Sequence, residues 1–276
     1  MLIHTFRTRL LCAALTCAAL ILAAAAHPAS AQFWEKKPWT EWSKGEAEKI
    51  LTDSPWSRTF SSSDVKLEAG GIRGGGTAER EVRPTIEYIA QLRSALPVRQ
   101  AVVRLMQIQS KYDKMTAEEK RNFDRQANDY LNQDFSNRVV VHIVYSANVS
   151  VLQQGLDDTW RTSTTDLPAD TYLVAPNGSR IEMVRYEPAS PGTPEFELIF
   201  KKELNGEPIV NKIDKKFHVQ LPMINKDKIR QQTALPTQLM GTSQSRGPGQ
   251  ETAFFETRVL FEFDVAKMMF NGKLEY

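Results

Sequence analysis

The sequence predicts an α+β fold: a short N-terminal helix and a helical hairpin packed on a mostly antiparallel β-sheet or β-sandwich. Three observations predict it. Ser43-x-x-Glu46 and Thr116-x-x-Glu119 are capping-box spacings, each opening an apolar stripe at helical spacing. Val139 to Tyr145 is an apolar run broken only by His142, as expected of a strand buried on both faces. Beyond it, Asn177-Gly178 and Asn205-Gly206 stand between β-prone runs, where both residues of a tight hairpin turn tolerate positive φ. Helix signals come first and strand signals follow, and that segregation marks α+β rather than alternating α/β.

Residues 1–31 are expected to be a cleavable export signal. Arg7 and Arg9 supply the positive start, Leu10 to Ala26 the apolar run, and Ala29-Ser30-Ala31 a small-x-small cleavage site. The run is short for a membrane span and is diluted by alanine and Thr16. Cys17 lies inside that run rather than after it, which argues against a lipoprotein signal. Both cysteines of the chain, Cys12 and Cys17, would leave with the signal. The mature chain would then hold no disulfide, no thiolate nucleophile and no cysteine metal site. The signal carries two of the 35 basic residues and none of the 33 acidic ones, so the mature balance is 33 against 33. Such neutrality gives no reason to expect nucleic acid or an anionic membrane as a partner. No second apolar run is long enough to span a bilayer. The periplasm is the expected compartment, with the extracellular space second. Removing 31 residues from 276 leaves 245, enough for one large domain or two small ones.

Residues 32–69 read as a tryptophan-rich N-terminal helix and strand, with Trp34, Trp39, Trp42 and Trp56 in one short stretch. Between them Ala47, Ile50 and Leu51 share a helical face, and Pro55 ends the run because the residue before proline resists the α conformation. So short a helix must dock on something downstream. Trp39, Trp42 and Trp56 are the candidate binding residues, since open indoles can stack on sugars or apolar peptides. The alternative, which the sequence favours, is that they staple the helix to the sheet. Asp53 beside Ser54-Pro55 reads as a structural turn.

Residues 70–78 form a Gly-rich connector. A phosphate loop would need a preceding strand and a following Gly-Lys-Ser/Thr, and neither is present. Ser63-Asp64-Val65-Lys66 matches Ser-x-x-Lys, but its polar, glycine-flanked context is not a helix start. From 79 to 276 we expect one α+β domain. Ile86, Tyr88, Ala90 and Leu92 alternate with polar residues and favour a strand, although Ile86, Ile89 and Ala90 also share a helical face. Residues 97–135 form the helical hairpin, through the stripes Val98, Ala101, Val102, Leu105, Ile108 and Phe123, Ala127, Tyr130, Leu131. Residues 138–276 read as the β-rich part, interrupted by the polar, aperiodic stretch 231–250. Asp157-Asp158 falls in an expected loop, and Glu118-Glu119 at a helix start.

Chemistry is sparse. Past the signal the histidines are His142 and His218, both on expected strands and without metal-ligand spacing. Neither a Gly-x-Ser-x-Gly elbow nor a metal motif accompanies them. No cofactor is expected, and no catalytic or metal residue is nominated.

Trp39-x-x-Trp42-Ser43, Asp53-Ser54-Pro55-Trp56, Ala95-Leu96-Pro97-Val98-Arg99 and Phe270-Asn271-Gly272-Lys273-Leu274-Glu275-Tyr276 together resemble uncharacterised secreted bacterial proteins. Some of those are similar to the group named for a Gly-Trp-x-Thr-Asp motif, the GWxTD-domain group. The motif itself is absent here, and Asp158-Thr159-Trp160-Arg161-Thr162 echoes it loosely. The resemblance implies an exported α+β domain and no particular activity. Two functions stay open: a non-catalytic envelope module binding a protein or glycan through strand edges and residues 231–250, and a periplasmic hydrolase using His142 or His218 with a nearby carboxylate. The sequence leaves the oligomeric state undetermined.

N-terminal sequencing of the protein from an envelope fraction should read Gln32 first. An intact Met1 or an acylated Cys17 would refute the export reading.

Overall fold

The computed structural model describes residues 33–62, 85–162, 170–224 and 255–276. The expected export signal (residues 1–31), the Gly-rich connector, Ser63–Lys66 and the 231–250 stretch lie outside the described residues. The chain divides into two compact units, Met1–Glu41 and Trp42–Tyr276. The described part of the first is a short helix α1 (Phe33–Lys36), whose Trp34 is buried, and a 3₁₀ turn over Trp39–Glu41.

The second unit is α+β. Helix α2 (Lys44–Thr52) starts at a complete capping box. Ser43 Oγ accepts from the Glu46 amide at 3.3 Å, and the Glu46 carboxylate accepts from the Ser43 amide at 2.8 Å. It stops at Asp53, and Ser54 Oγ donates to Ile50 O at 2.7 Å to turn the chain. Strands β1 (Ser57–Ser62) and β2 (Ile86–Leu92) pair antiparallel, so the tryptophan-rich segment contributes a strand to the same sheet as the rest. Of the two readings of 86–92, the strand is the one realised.

The predicted hairpin of helices follows as α3 (Leu96–Gln109) and α4 (Ala117–Leu131). Thr116 and Glu119 form the second capping box. No residue of α4 is fully buried, so its stripe alone does not hold it. Arg99 of α3 supplies the tie: its Nη1 donates to Leu131 O at 2.6 Å and Gln133 O at 3.2 Å, satisfying carbonyls that a helix C-terminus leaves free. Its guanidinium also lies 4.7 Å over the Phe135 ring.

Strand β3 (Arg138–Ala147) is central, between β2 and β6, as its apolar faces require. The β-rich part from 138 onward includes a helix that the sequence reading did not expect. Residues Ser150–Thr162 form a helix, α5, burying Leu152, Leu156, Thr159 and Trp160 at i, i+4 and i+3, i+4 spacing. Asp157-Asp158 therefore sits on a helix and not in a loop. Trp160 stacks on Phe196 at 4.4 Å between ring centroids and donates Nε1–H to the Tyr88 hydroxyl (Oη) at 3.3 Å.

The remaining strands are β4 (Tyr172–Val174), β5 (Arg180–Glu187), β6 (Glu195–Lys201), β7 (Glu203–Leu204), β8 (Glu207–Pro208), β9 (Lys216–Ile224), β10 (Phe255–Asp264), β11 (Met269–Phe270) and β12 (Lys273–Leu274). Eight of the strands make one antiparallel sheet in the order β1-β2-β3-β6-β5-β4-β9-β10. It is a single curled sheet, not a sandwich. Its ends meet: Arg58 on β1 donates Nε–H to Glu262 O on β10 at 2.7 Å and covers the Phe263 ring. The concave face holds Tyr88, Val141, Ile143, Phe196, Phe200, Phe217, Val219, Phe261 and Phe263, all buried. Asn177-Gly178 turns β4 into β5, with positive φ at Gly178 alone. Asn205-Gly206 has positive φ at both residues but joins the separate two-stranded β7–β8 ribbon. Among the described residues no helix is long and apolar enough to cross a membrane.

The outer face is two-sided in character. On β1–β2 it is covered by α2, since Gln91 Nε2 donates to Leu51 O at 2.9 Å and Ser57 Oγ to Ile50 O at 2.8 Å. On β3 and β6 it is buried at Val140, His142 and Ile199. On β5 and β10 it meets water.

Trp42 and Trp56 are both 0% exposed. Trp56→Ala and Trp42→Ala should each cost about 3–5 kcal/mol, the range for deleting a large buried aromatic. Chemical unfolding reads this directly, and near-wild-type midpoints would refute an anchoring role.

Candidate functional site

The three sequence-nominated tryptophans are not assembled into an open platform. Trp42 and Trp56 offer no ring face to solvent. The Trp42 carbonyl accepts from Arg104 Nε at 2.6 Å, and the Trp56 indole donates to Glu275 O at 3.0 Å. Trp39 is partly exposed on its 3₁₀ turn, in the Met1–Glu41 unit.

The chemistry gathers instead around His142. The pairing of β3 with β6 sets Ile143 opposite Phe196 and Val141 opposite Leu198, both pairs facing the concave core. Side chains alternate along a strand, so His142, Glu195 and Glu197 must share the outer face. Gln91 of β2 stands opposite His142 on its other side. The result is a row across three strands, Gln91–His142–Glu197, with Glu195 diagonal to it. His142 Nε2 lies 3.3 Å from Glu195 Oε2, and Nδ1 lies 3.4 Å from Glu197 Oε1. These are ion-pair distances, out of line for strong hydrogen bonds. The ring is 6% exposed. Contact with His142 holds both glutamates below the usual carboxylate range, against the opposing effect of burial, and the Arg93 charge adds to it. Arg93 in turn donates Nη1–H to the Tyr130 hydroxyl (Oη) on α4 at 3.1 Å.

His218 is a looser version. Its Nε2 lies 3.1 Å from Glu262 Oε2 across the β9–β10 pair, at the surface, and Lys216 holds the other oxygen of that carboxylate. Lys216 first, then His218, lowers the Glu262 carboxyl.

Both histidines thus have carboxylate partners, which the sequence could not place. Among the described residues no serine or threonine hydroxyl bonds to either ring, and no cluster of three metal-ligating side chains forms. A histidine with carboxylates can bind, release or shuttle a proton. Nucleophilic hydrolysis needs a further group beside it. The missed signal was Glu195-x-Glu197, two like charges on one strand face, which is costly unless a cation lies between them.

The wet half of the sheet carries the other candidate surface. Arg180 stacks 4.0 Å above the Tyr172 ring, whose hydroxyl donates to Gln220 Oε1 at 2.9 Å. Arg258 pairs with Asp170 at 3.7 Å. Leu260 on β10 is 53% exposed, and Val184 at the β5 bulge is 59% exposed.

No family model, curated protein or solved structure matches the chain.

His218→Gln should leave the unfolding midpoint unchanged, because an exposed pair in high dielectric contributes little. A clear loss of stability would show that the β9–β10 pairing depends on it.

Proposed function

We propose that the protein is an exported envelope protein that acts by non-catalytic binding, with a protein partner docking on the outer face of β5, β4, β9 and β10. The observation that carries this reading is the exposure of Leu260 and Val184 on a half-sheet whose other outward side chains include Arg, Glu, Lys216, His218 and a stacked Tyr–Arg pair. Apolar contacts ringed by charge and arginine-capped aromatics are the composition of protein interfaces. A glycan partner is less well served. Sugar stacking needs an open indole, and Trp42 and Trp56 are buried. The second reading, a periplasmic hydrolase, draws its support from the carboxylate partners of His142 and His218. It lacks a nucleophile within reach of either ring among the described residues.

One complementation experiment separates the two. A deletion strain carrying the His142→Gln, His218→Gln double variant should keep its function, with folding checked by circular dichroism. A Leu260→Glu, Val184→Glu variant should lose it while folding normally. The reverse pattern would overturn the binding reading and favour the enzyme.

A further inference from the structure

Among the described residues, the connection from β8 to β9 carries the most exposed large apolar side chain. Ile213 is 93% exposed, whereas Met106, Val184, Leu204 and Leu260 lie between 39% and 59%. The turn that carries it is closed twice. Asp214 N–H donates to Asn211 O at 3.0 Å, and the Asn211 amide donates to the Asp214 carboxylate at 2.6 Å. Lys212 and Ile213 are therefore the central pair of a four-residue turn. Its base is anchored, since Ile209, Val210 and Phe217 are buried and Val210 O accepts from the Tyr276 hydroxyl at 3.2 Å. Ile213 thus stands at a fixed tip, clear of the core.

Lysines surround that tip. Lys212, Lys215 and Lys216 are exposed on the turn and at the start of β9. Lys212 Nζ donates to Gly272 O at 3.3 Å, which sets the turn against the β11–β12 hairpin and its exposed Lys273. Val265 N–H donates to Lys215 O at 3.0 Å, which adds the 3₁₀ turn Val265–Lys267 to the same end of the sheet. Of the acidic groups there, Asp264 is paired with Lys267 at 3.1 Å, Glu262 with Lys216, and Asp214 is held by the Asn211 amide. Lys212, Lys215 and Lys273 make no ion pair among the described residues. A chain near neutrality as a whole can still carry a local field of one sign.

We propose that the Asn211–Asp214 turn is a contact point for an anionic lipid surface: Ile213 enters the boundary between headgroups and acyl chains, and Lys212, Lys215 and Lys273 meet the headgroup charge. The bilayer interface takes apolar side chains at that boundary and cations just outside it, each lysine contributing roughly fivefold in affinity. A four-residue turn is too narrow to supply the roughly 800 Å² that each partner gives to a stable protein interface. Leu204 is excluded by its neighbours. It follows Glu203 and stands opposite Glu207 on the β7–β8 ribbon, and anionic headgroups repel both carboxylates. One apolar side chain and three cations make an attachment that is peripheral and reversible. The inference is independent of the proposed binding face, because Ile213 precedes β9 and lies outside the strands of that face.

Hydrogen exchange of the full chain, read at the amides of Lys212 to Lys215, tests it under titration with vesicles. Vesicles of phosphatidylcholine and phosphatidylglycerol in equal parts should slow these amides, and added salt should weaken the effect. Phosphatidylcholine alone should slow them far less. In Ile213→Ser the lipid concentration giving half the slowing should rise about tenfold or more, as expected for withdrawing a buried isoleucine side chain. In the Lys212→Gln, Lys215→Gln double variant it should rise roughly fivefold for each lysine lost. Leu260→Glu with Val184→Glu should respond as wild type does, which separates this contact from the proposed binding face. Because the readout is local, attachment of any other segment to the vesicles does not imitate it. Turn amides that exchange unchanged beside anionic vesicles would overturn the assignment, as would equal slowing by phosphatidylcholine alone. Slowing by solubilised envelope protein in place of lipid would also overturn it, and would assign the turn to a protein.

Discussion

Glu275 joins the two ends of the Trp42–Tyr276 unit. Its backbone carbonyl takes the Trp56 indole N–H, and its carboxylate takes the Leu96 amide at 3.0 Å. Leu96 opens α3, where the residue in the cap position is Ala95, which has no side chain able to cap, and where Pro97 has no amide to offer. A helix start without a local cap loses about 1 kcal/mol, and here a carboxylate 179 residues away fills the place, favoured also by the helix dipole. Around this corner Phe270 meets Trp56 edge to face, Lys202 donates to Tyr276 O, and the Tyr276 hydroxyl donates to Val210 O. Three of the four segments singled out in the sequence meet here: Asp53–Trp56, Ala95–Arg99 and Phe270–Tyr276. The fourth is tied to the same helix by Arg104 and the Trp42 carbonyl.

From that corner the division of the sheet follows. The β1-β2-β3-β6 half has buried outer positions because α2 docks on it and because α4 is tied to its polar row through Arg93. The β5-β4-β9-β10 half shows charged and apolar side chains to water on its outer face. The concave side is uniformly aromatic and aliphatic in both halves. Curling brings these residues together with Trp160 of α5 over one part of them. The two outer halves therefore have different chemistry. One sets a buried histidine beside half-exposed carboxylates, and the other holds its charges in water where pairs count for little.

Much of this was legible in the sequence, and the gaps have physical causes. Local signals read well: both capping boxes, the central strand, the two Asn-Gly turns and the stop at Pro55 depend on residues a few positions apart. The helix Ser150–Thr162 was lost because Gly155 and the Asp157-Asp158 pair resemble turn chemistry, while its Leu152–Leu156–Trp160 stripe is only one residue wide. The histidine partners were lost for another reason. Nothing local says that β3 pairs with β6 rather than with the strand next in sequence, and β4 and β5 intervene in the chain. The burial of Trp42 and Trp56 was foreseeable from the helix they flank, whereas the Glu275 partner was not, since a contact across 219 residues leaves no mark in either segment.

The charged row also bears on the register of the fold. Burying His142 beside two carboxylates costs desolvation, and apolar residues of similar volume there could be as stable or more so. What apolar residues would not supply is register. Strand β3 is apolar on both faces, so its burial pattern alone cannot choose between its sides. A slip of one residue against β6 would turn His142 inward or set Phe196 and Phe200 outward. Gln91, His142, Glu195 and Glu197 lie side by side on the outer face only with Ile143 opposite Phe196, so that slip would part the row. The polar row and the apolar face of β6 thus favour the same side of β3 as the core.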